Sequence, residues 1–190
     1  MERIRGTSQR PRARITGIVY LLYFLIAIFA EGLKGTGFAK FSNAINLIAF
    51  GFYAAVTLLF YYLFKPVNRR ISLIAALFSV AGCAVGALNL FYFAPLRISP
   101  LVFFAPYCIL LGYLIIKSVF LPRILGVLMA LAGLGWLAYL TPLSKHLSLV
   151  FEILGIVAEG SLMLWLIVKS VNVERWVEQA QSIEIQQEEK

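Results

Sequence analysis

Six apolar runs, separated by short polar stretches, set the pattern of this 190-residue chain: 15–30, 44–64, 71–94, 101–116, 124–140 and 147–168. A helix rising about 1.5 Å per residue needs ~17–25 apolar residues to cross a bilayer, and each run approaches or reaches that length. Pro66, Pro95, Pro100, Pro122 and Pro142 fall at or just beyond the run ends, where a missing N–H is tolerated. The expected fold is therefore all-α and membrane-integral, a six-helix transmembrane bundle over 15–169. Ahead of it lies a basic arm, 1–14, in which Pro11 opposes helix. Behind it lies a tail, 170–190, where Val173, Trp176, Val177, Ala180 and Ile183 recur at helical spacing among Glu and Gln. That pattern predicts a short amphipathic helix on the membrane surface with Trp176 near the headgroups. The basic flank and small Ala30 of the first run resemble a signal peptide, but similar runs follow, and an uncleaved anchor is the expectation.

Composition agrees with the pattern. Hydrophobic residues make up 61% of the chain, only 14% are charged, and the mean hydropathy is +0.87, outside soluble practice. The net charge of +8 does not point to nucleic acid, because the cations sit at run ends, where they read as topology signals. With the N-terminus inside, inner segments hold Arg3, Arg5, Arg10, Arg12, Arg14, Lys65, Arg69, Arg70, Lys117, Arg123, Lys169, Arg175 and Lys190. Outer segments hold only Lys34, Lys40, Arg97 and Lys145. Both termini are thus expected in the cytoplasm, with loops 31–43, 95–100 and 141–146 outside. Cys83 and Cys108 lie inside apolar runs and read as small packing residues.

The even-numbered runs end alike, in YLFKPVN (62–68), LIIKSVF (114–120) and LIVKSVN (166–172), spaced by 52 residues. Lys65, Lys117 and Lys169 align, as do Val67, Val119 and Val171 and the aromatics Tyr61, Tyr113 and Trp165. The odd runs open with Arg-Ile. Every cytoplasmic end favours a cation and an interfacial aromatic, yet matching Val and Asn suggest three tandem two-helix hairpins. Gly82 and Gly86, Gly126 and Ala130, and Gly133 with Gly135 are small residues suited to close helix packing.

The residues that could carry chemistry are few. Glu159 lies ten residues from Lys169, so about 15 Å deep, near the middle of a ~30 Å core. A carboxylate there costs roughly 2.5–3.5 kcal/mol on insertion scales and is expected to face the interior with a partner. Tyr23 and Tyr107 reach similar depth by the same count and are the candidate phenol donors. Glu152 lies seven residues before Glu159, within about 20° on the helix, with Ser148 and Gly155 beside the same stripe. Glu31, Asn46 and Asn89 form an outer polar set. Pro106, inside the fourth run, would free the carbonyl of Val102, and broken helices beside a midplane acid mark transporter sites.

Two classes stay open. One is a non-catalytic scaffold or regulator in which Glu159 is a structural carboxyl held by a tyrosine. The other is a small-solute or proton-coupled transporter, with Glu159, Glu152, Tyr107 and Tyr23 lining the ligand or proton site. An intramembrane enzyme is disfavoured: Ser161 points away from Glu152 without a GxSxG, and no P-loop, HExxH or dinucleotide motif occurs. A single histidine, His146, excludes bis-histidine haem, and no metal-ligand spacing is found. The expectation is no enzyme, cofactor or metal. The lipid bilayer is the surrounding partner, and a homo-oligomer or another membrane protein stays open.

Four stretches carry a resemblance: RITGIVYLLYF (14–24), LFKPVNRRISLIAALF (63–78), FLPRILGVLMALAGLGWL (120–137) and EGSLMLWLIVKSVN (159–172). They resemble the bacterial multi-pass membrane family catalogued as domain of unknown function 4386, over essentially the whole chain between arm and tail. The resemblance implies six helices in a prokaryotic cytoplasmic membrane. It implies no ligand, reaction or site residue.

Overall fold

A computed structural model describes residues 9–34, 38–90 and 98–188. Expectations for Arg3, Arg5, Pro95, Arg97 and Lys190 lie outside the described residues. Among those described the fold is entirely helical: α1 (Gln9–Leu33), α2 (Ala39–Phe64), α3 (Arg69–Leu90), α4 (Leu101–Lys117), α5 (Arg123–Tyr139), α6 (Ser144–Val168) and α7 (Val173–Glu188). Four of these, α1, α2, α3 and α6, are long and apolar enough to cross a membrane, while α4 and α5 are apolar but only 17 residues long.

The first helix corrects the expected arm. Helix begins at Gln9, so Arg10, Pro11, Arg12 and Arg14 belong to it and not to an irregular segment. Pro11 sits in the first turn, where the backbone N–H groups have no intrahelical acceptor to lose. Pro106, by contrast, lies inside α4, and the helix nevertheless runs unbroken from Leu101 to Lys117. Having no N–H, Pro106 still leaves the Val102 carbonyl without its usual helical donor.

Each of α1 to α6 packs on its neighbour in the chain, and α6 returns against α1, so the helices close on themselves. The interior is mostly apolar, as in a water-soluble protein, but the exterior is apolar as well. Large apolar side chains are exposed on every one of these helices, among them Leu25, Leu58, Leu77, Val102, Leu134 and Ile156. Hydroxyls point inward: Thr16, Ser42, Thr57, Ser72 and Ser79 are all buried. An outer apolar surface of this extent needs lipid or protein against it. This is the build of an integral membrane protein.

Glycines set the closest crossings. A Cβ on Gly112 would stand 2.6 Å from the Gly126 carbonyl, and one on Gly126 would stand 2.6 Å from that of Gly112. One on Gly133 would meet the Ala105 carbonyl at 2.7 Å. The backbones of α4 and α5 therefore touch, as Gly126, Ala130 and Gly133 suggested. Gly82 and Gly86 serve otherwise, receiving the rings of Phe104 and Phe50.

Asn68 and Asn172 do the same work at two turns. Each side-chain oxygen accepts the N–H three residues on, from Ile71 at 3.0 Å and from Arg175 at 3.2 Å. Each carbonyl accepts the N–H four residues on, from Ser72 and Trp176. Both are helix N-caps. The third aligned position, Phe120, does not cap, and Val119 is exposed where Val171 is buried. The matching Asn residues thus have a local cause, whatever their ancestry.

The tail forms the helix α7, as its pattern predicted, and one side of it meets the bundle. Val173 and Trp176 pack against the core, and the Trp176 indole N–H donates to the Leu63 carbonyl at 3.0 Å. Of the predicted apolar face, Val173 and Trp176 are half-buried against the protein.

Candidate site around Glu159

Glu159 stands on α6, half-buried, where that helix meets α1. A carboxyl taken from water needs a donor or a cation, and the donor here is the Tyr20 hydroxyl, 2.5 Å from Oε2. Tyr20 is completely buried. It lies on the stripe Ala13, Gly17 and Tyr20, at i, i+4 and i+7, which one face of a helix presents together. A Cβ on Gly17 would stand 2.9 Å from the Ile167 backbone nitrogen. That contact brings α1 onto α6, one turn before Tyr20.

The phenol that reaches Glu159 is therefore Tyr20 and not Tyr23 or Tyr107. Counting residues from the flanking cations places Tyr20 about one turn shallower than Glu159, and the length of its side chain bridges that offset. Which tyrosine faces α6 depends on rotation about α1, which depth does not report. The stripe of small residues at 13 and 17 was the available signal.

The two expected tyrosines are close by. Tyr23 packs on Tyr53 with ring centroids 4.6 Å apart, and Tyr53 lies 6.1 Å from both Tyr20 and Tyr107. Phe24, Phe60 and Phe104 complete the aromatic layer. The carboxyl of Glu159 is within electrostatic reach of Tyr23, Tyr53, Tyr107 and Cys108. Tyr107 has Thr57 as its side-chain hydrogen-bond partner. Thr57 also donates to the Tyr53 carbonyl at 2.9 Å and shares a 2.6 Å hydrogen bond with Ser79. Thus α1, α2, α3, α4 and α6 all contribute hydroxyl or carboxyl groups to one layer.

Glu152 belongs elsewhere. The Tyr139 hydroxyl donates to it at 3.4 Å, at the long end of hydrogen-bond range. The glycine gap between the acids, Gly155, is filled by the Trp136 ring. The two acids therefore do not line a common cavity. The outer polar groups tie helix ends: Ser42 donates to the Ala30 carbonyl at 2.8 Å, Asn43 to that of Leu90 at 3.4 Å and Asn89 to that of Ile98 at 3.2 Å. Glu31 pairs with Lys34 at 2.6 Å, both well exposed.

One small, partly open cavity of about 10 Å³ is walled by Thr57, Phe60, Tyr61, Phe64, Ser72 and Tyr107, among others. Another is an open surface hollow at Ile48, Gly51, Phe52 and Ala55. Glu159 lines neither. What the site can do chemically is hold a carboxyl in an aromatic, water-poor layer by a short hydrogen bond between the first and last helices of the closed set.

Residues 97–170 match the family described as Domain of unknown function (DUF4386). An uncharacterized protein from Archaeoglobus fulgidus is 28% identical over 123 residues, covering 60% of this chain and 74% of that protein. No solved structure matches the chain. The expected family is met over α4 to α6 and the turn after them. The stretches at 14–24 and 63–78, including the KPVN turn, lie outside that match. The relative is archaeal, and nothing in these matches confines the family to bacteria.

Proposed function

We propose that this chain, matching the DUF4386 family over residues 97–170, is a non-catalytic membrane scaffold that crosses the bilayer six times with both termini in the cytoplasm. In this reading all of α1 to α6 cross, α4 and α5 being at the short end of the crossing range at about 25 Å each. The Lys and Arg distribution sets the orientation. Its arrangement as three sequential hairpins is supported by the matching helix ends YLFKPVN, LIIKSVF and LIVKSVN.

The observation that carries the scaffold reading is the Tyr20–Glu159 hydrogen bond. A midplane acid without a neighbouring cation is best accommodated neutral and hydrogen-bonded. Held so, it joins the two helices at which the closed arrangement could open, and its role is to fix their register. Such a scaffold would act through its lipid-facing surface, on another membrane protein or a second copy. A proton-coupled transporter is the second reading, favoured by the hydroxyl layer of Thr57, Ser79, Tyr53 and Tyr107 that extends from Tyr20 across the core.

Thermal unfolding in detergent, joined to proton release from proteoliposomes, separates the two. For the scaffold, Glu159→Gln retains shape and most hydrogen bonds and leaves Tm nearly unchanged. Glu159→Leu leaves the Tyr20 hydroxyl unpaired and costs about 1–3 kcal/mol. Unchanged stability in both variants, with proton release abolished, would replace the scaffold by the transporter.

A further inference from the structure

The tail helix is attached to the bundle at points the scaffold reading does not use. The last carbonyls of a helix lack intrahelical partners, and α7 supplies donors to two such ends. Trp176 Nε1 donates to the Leu63 carbonyl at the end of α2, at 3.0 Å. Gln179 Nε2 donates to the Lys117 carbonyl at the end of α4, at 3.3 Å. The Gln179 side-chain oxygen in turn accepts the Val119 N–H at 3.2 Å. Trp176 and Gln179 are three residues apart, so a single face of α7 reaches both ends. The connection to α6 makes this geometry possible: Ser170, with φ of 61°, turns the chain out of α6. Asn172 then starts α7 and donates its own N–H to the Phe120 carbonyl at 3.3 Å.

Just inside these contacts lies the void walled by Thr57, Tyr61, Ser72, Tyr107, Phe60 and Phe64. Its volume of about 10 Å³ is near that of one water, and although Thr57, Ser72 and Tyr107 are among its walls, the surface it exposes is almost wholly apolar. Phe64 is one of its walls, and the ring of Phe120 stacks on Phe64 at 5.8 Å. Phe120 is thus held from within by Phe64 and from without by α7. We propose that α7 is a releasable strap that holds the Phe64–Phe120 pair in place beside this small apolar cavity. Its release opens that void, and through it the layer around Tyr107, to the side of the membrane where α2, α4 and α6 end. The bonds that hold the strap are few and at its edge exposed, and local opening draws on such contacts before the core yields.

Ser72 is buried against the void and serves as the reporter. The full chain carrying Ser72→Cys is reacted with a membrane-impermeant thiol reagent in detergent, beside the same chain with Trp176→Phe and Gln179→Ala added. The added labelling should proceed roughly ten-fold faster with the strap bonds removed, as the loss of two net hydrogen bonds implies. Glu178→Gln, on the exposed outer face of α7, should leave the rate unchanged. Equal rates with and without the strap bonds would overturn the proposal. Should the variants not fold, hydrogen exchange of the unaltered protein decides. Amides of α7 exchanging about ten-fold or more faster than those of α2 are expected of a separate, releasable unit. Amides of α7 protected as long as those of α2 would refute release.

Discussion

A carboxyl in the middle of an apolar helix is the kind of residue a sequence shows plainly, because the cost of placing it there demands a reason. Its partner is much less visible. Tyrosine is common in apolar runs, and neither depth nor composition says which of several phenols faces the acid. Tyr20 was legible only through Ala13 and Gly17, whose small side chains let α1 approach α6. The difference between the tyrosines is measurable. Tyr20→Phe removes the hydroxyl that donates to Glu159 and should lower Tm in detergent more than Tyr23→Phe, which retains its stacking on Tyr53. An equal loss for both would show that the Tyr20 hydroxyl contributes nothing particular. Glu152→Gln should have little effect on Tm, since the bond to Tyr139 is long.

Element ends were well marked by proline, and α4 and α5 fall within a residue of the runs that announced them. The start of α1 was not, because Pro11 was read as a helix breaker when it occupies a first turn that tolerates it. The tail was legible as amphipathic but not as docked: an apolar face looks the same whether lipid or protein covers it. Contact between α4 and α5 makes the sharpest element-level case. Gly126→Ala drives a methyl group into the Gly112 carbonyl, and backbone cannot step aside as a flexible side chain can. It should cost more than the ~1–3 kcal/mol typical of overpacking. Gly51→Ala meets nothing within 4 Å and should be neutral or raise stability by up to about 1 kcal/mol through helix propensity. Thermal melts of the two variants side by side would check the contrast. At the turn before α7, Asn172→Ala should cost about 0.5–2 kcal/mol as a lost N-cap, read as faster hydrogen exchange in α7.

For the molecule as a whole, hydrophobic patterning carried the fold class because lipid imposes a length on apolar helices that water-soluble cores do not. The pairing of α1 with α6 was beyond that pattern, since every crossing helix in an apolar solvent looks alike from its length. The proposed topology rests on the distribution of cations and is open to direct test. Single cysteines placed at Ser144 and Ser182 and labelled on intact cells should react from outside at Ser144 alone. Labelling at Ser182 from outside would reverse or break the proposed orientation. Closure of α6 on α1 by a carboxyl is tested most directly by a double-mutant cycle of Tyr20→Phe and Glu159→Leu on thermal stability in detergent. Each single change strands one buried polar group and should cost about 1–3 kcal/mol, while the double change strands neither and should cost clearly less than the sum. Strictly additive losses would mean that Tyr20 and Glu159 do not hold the helices together.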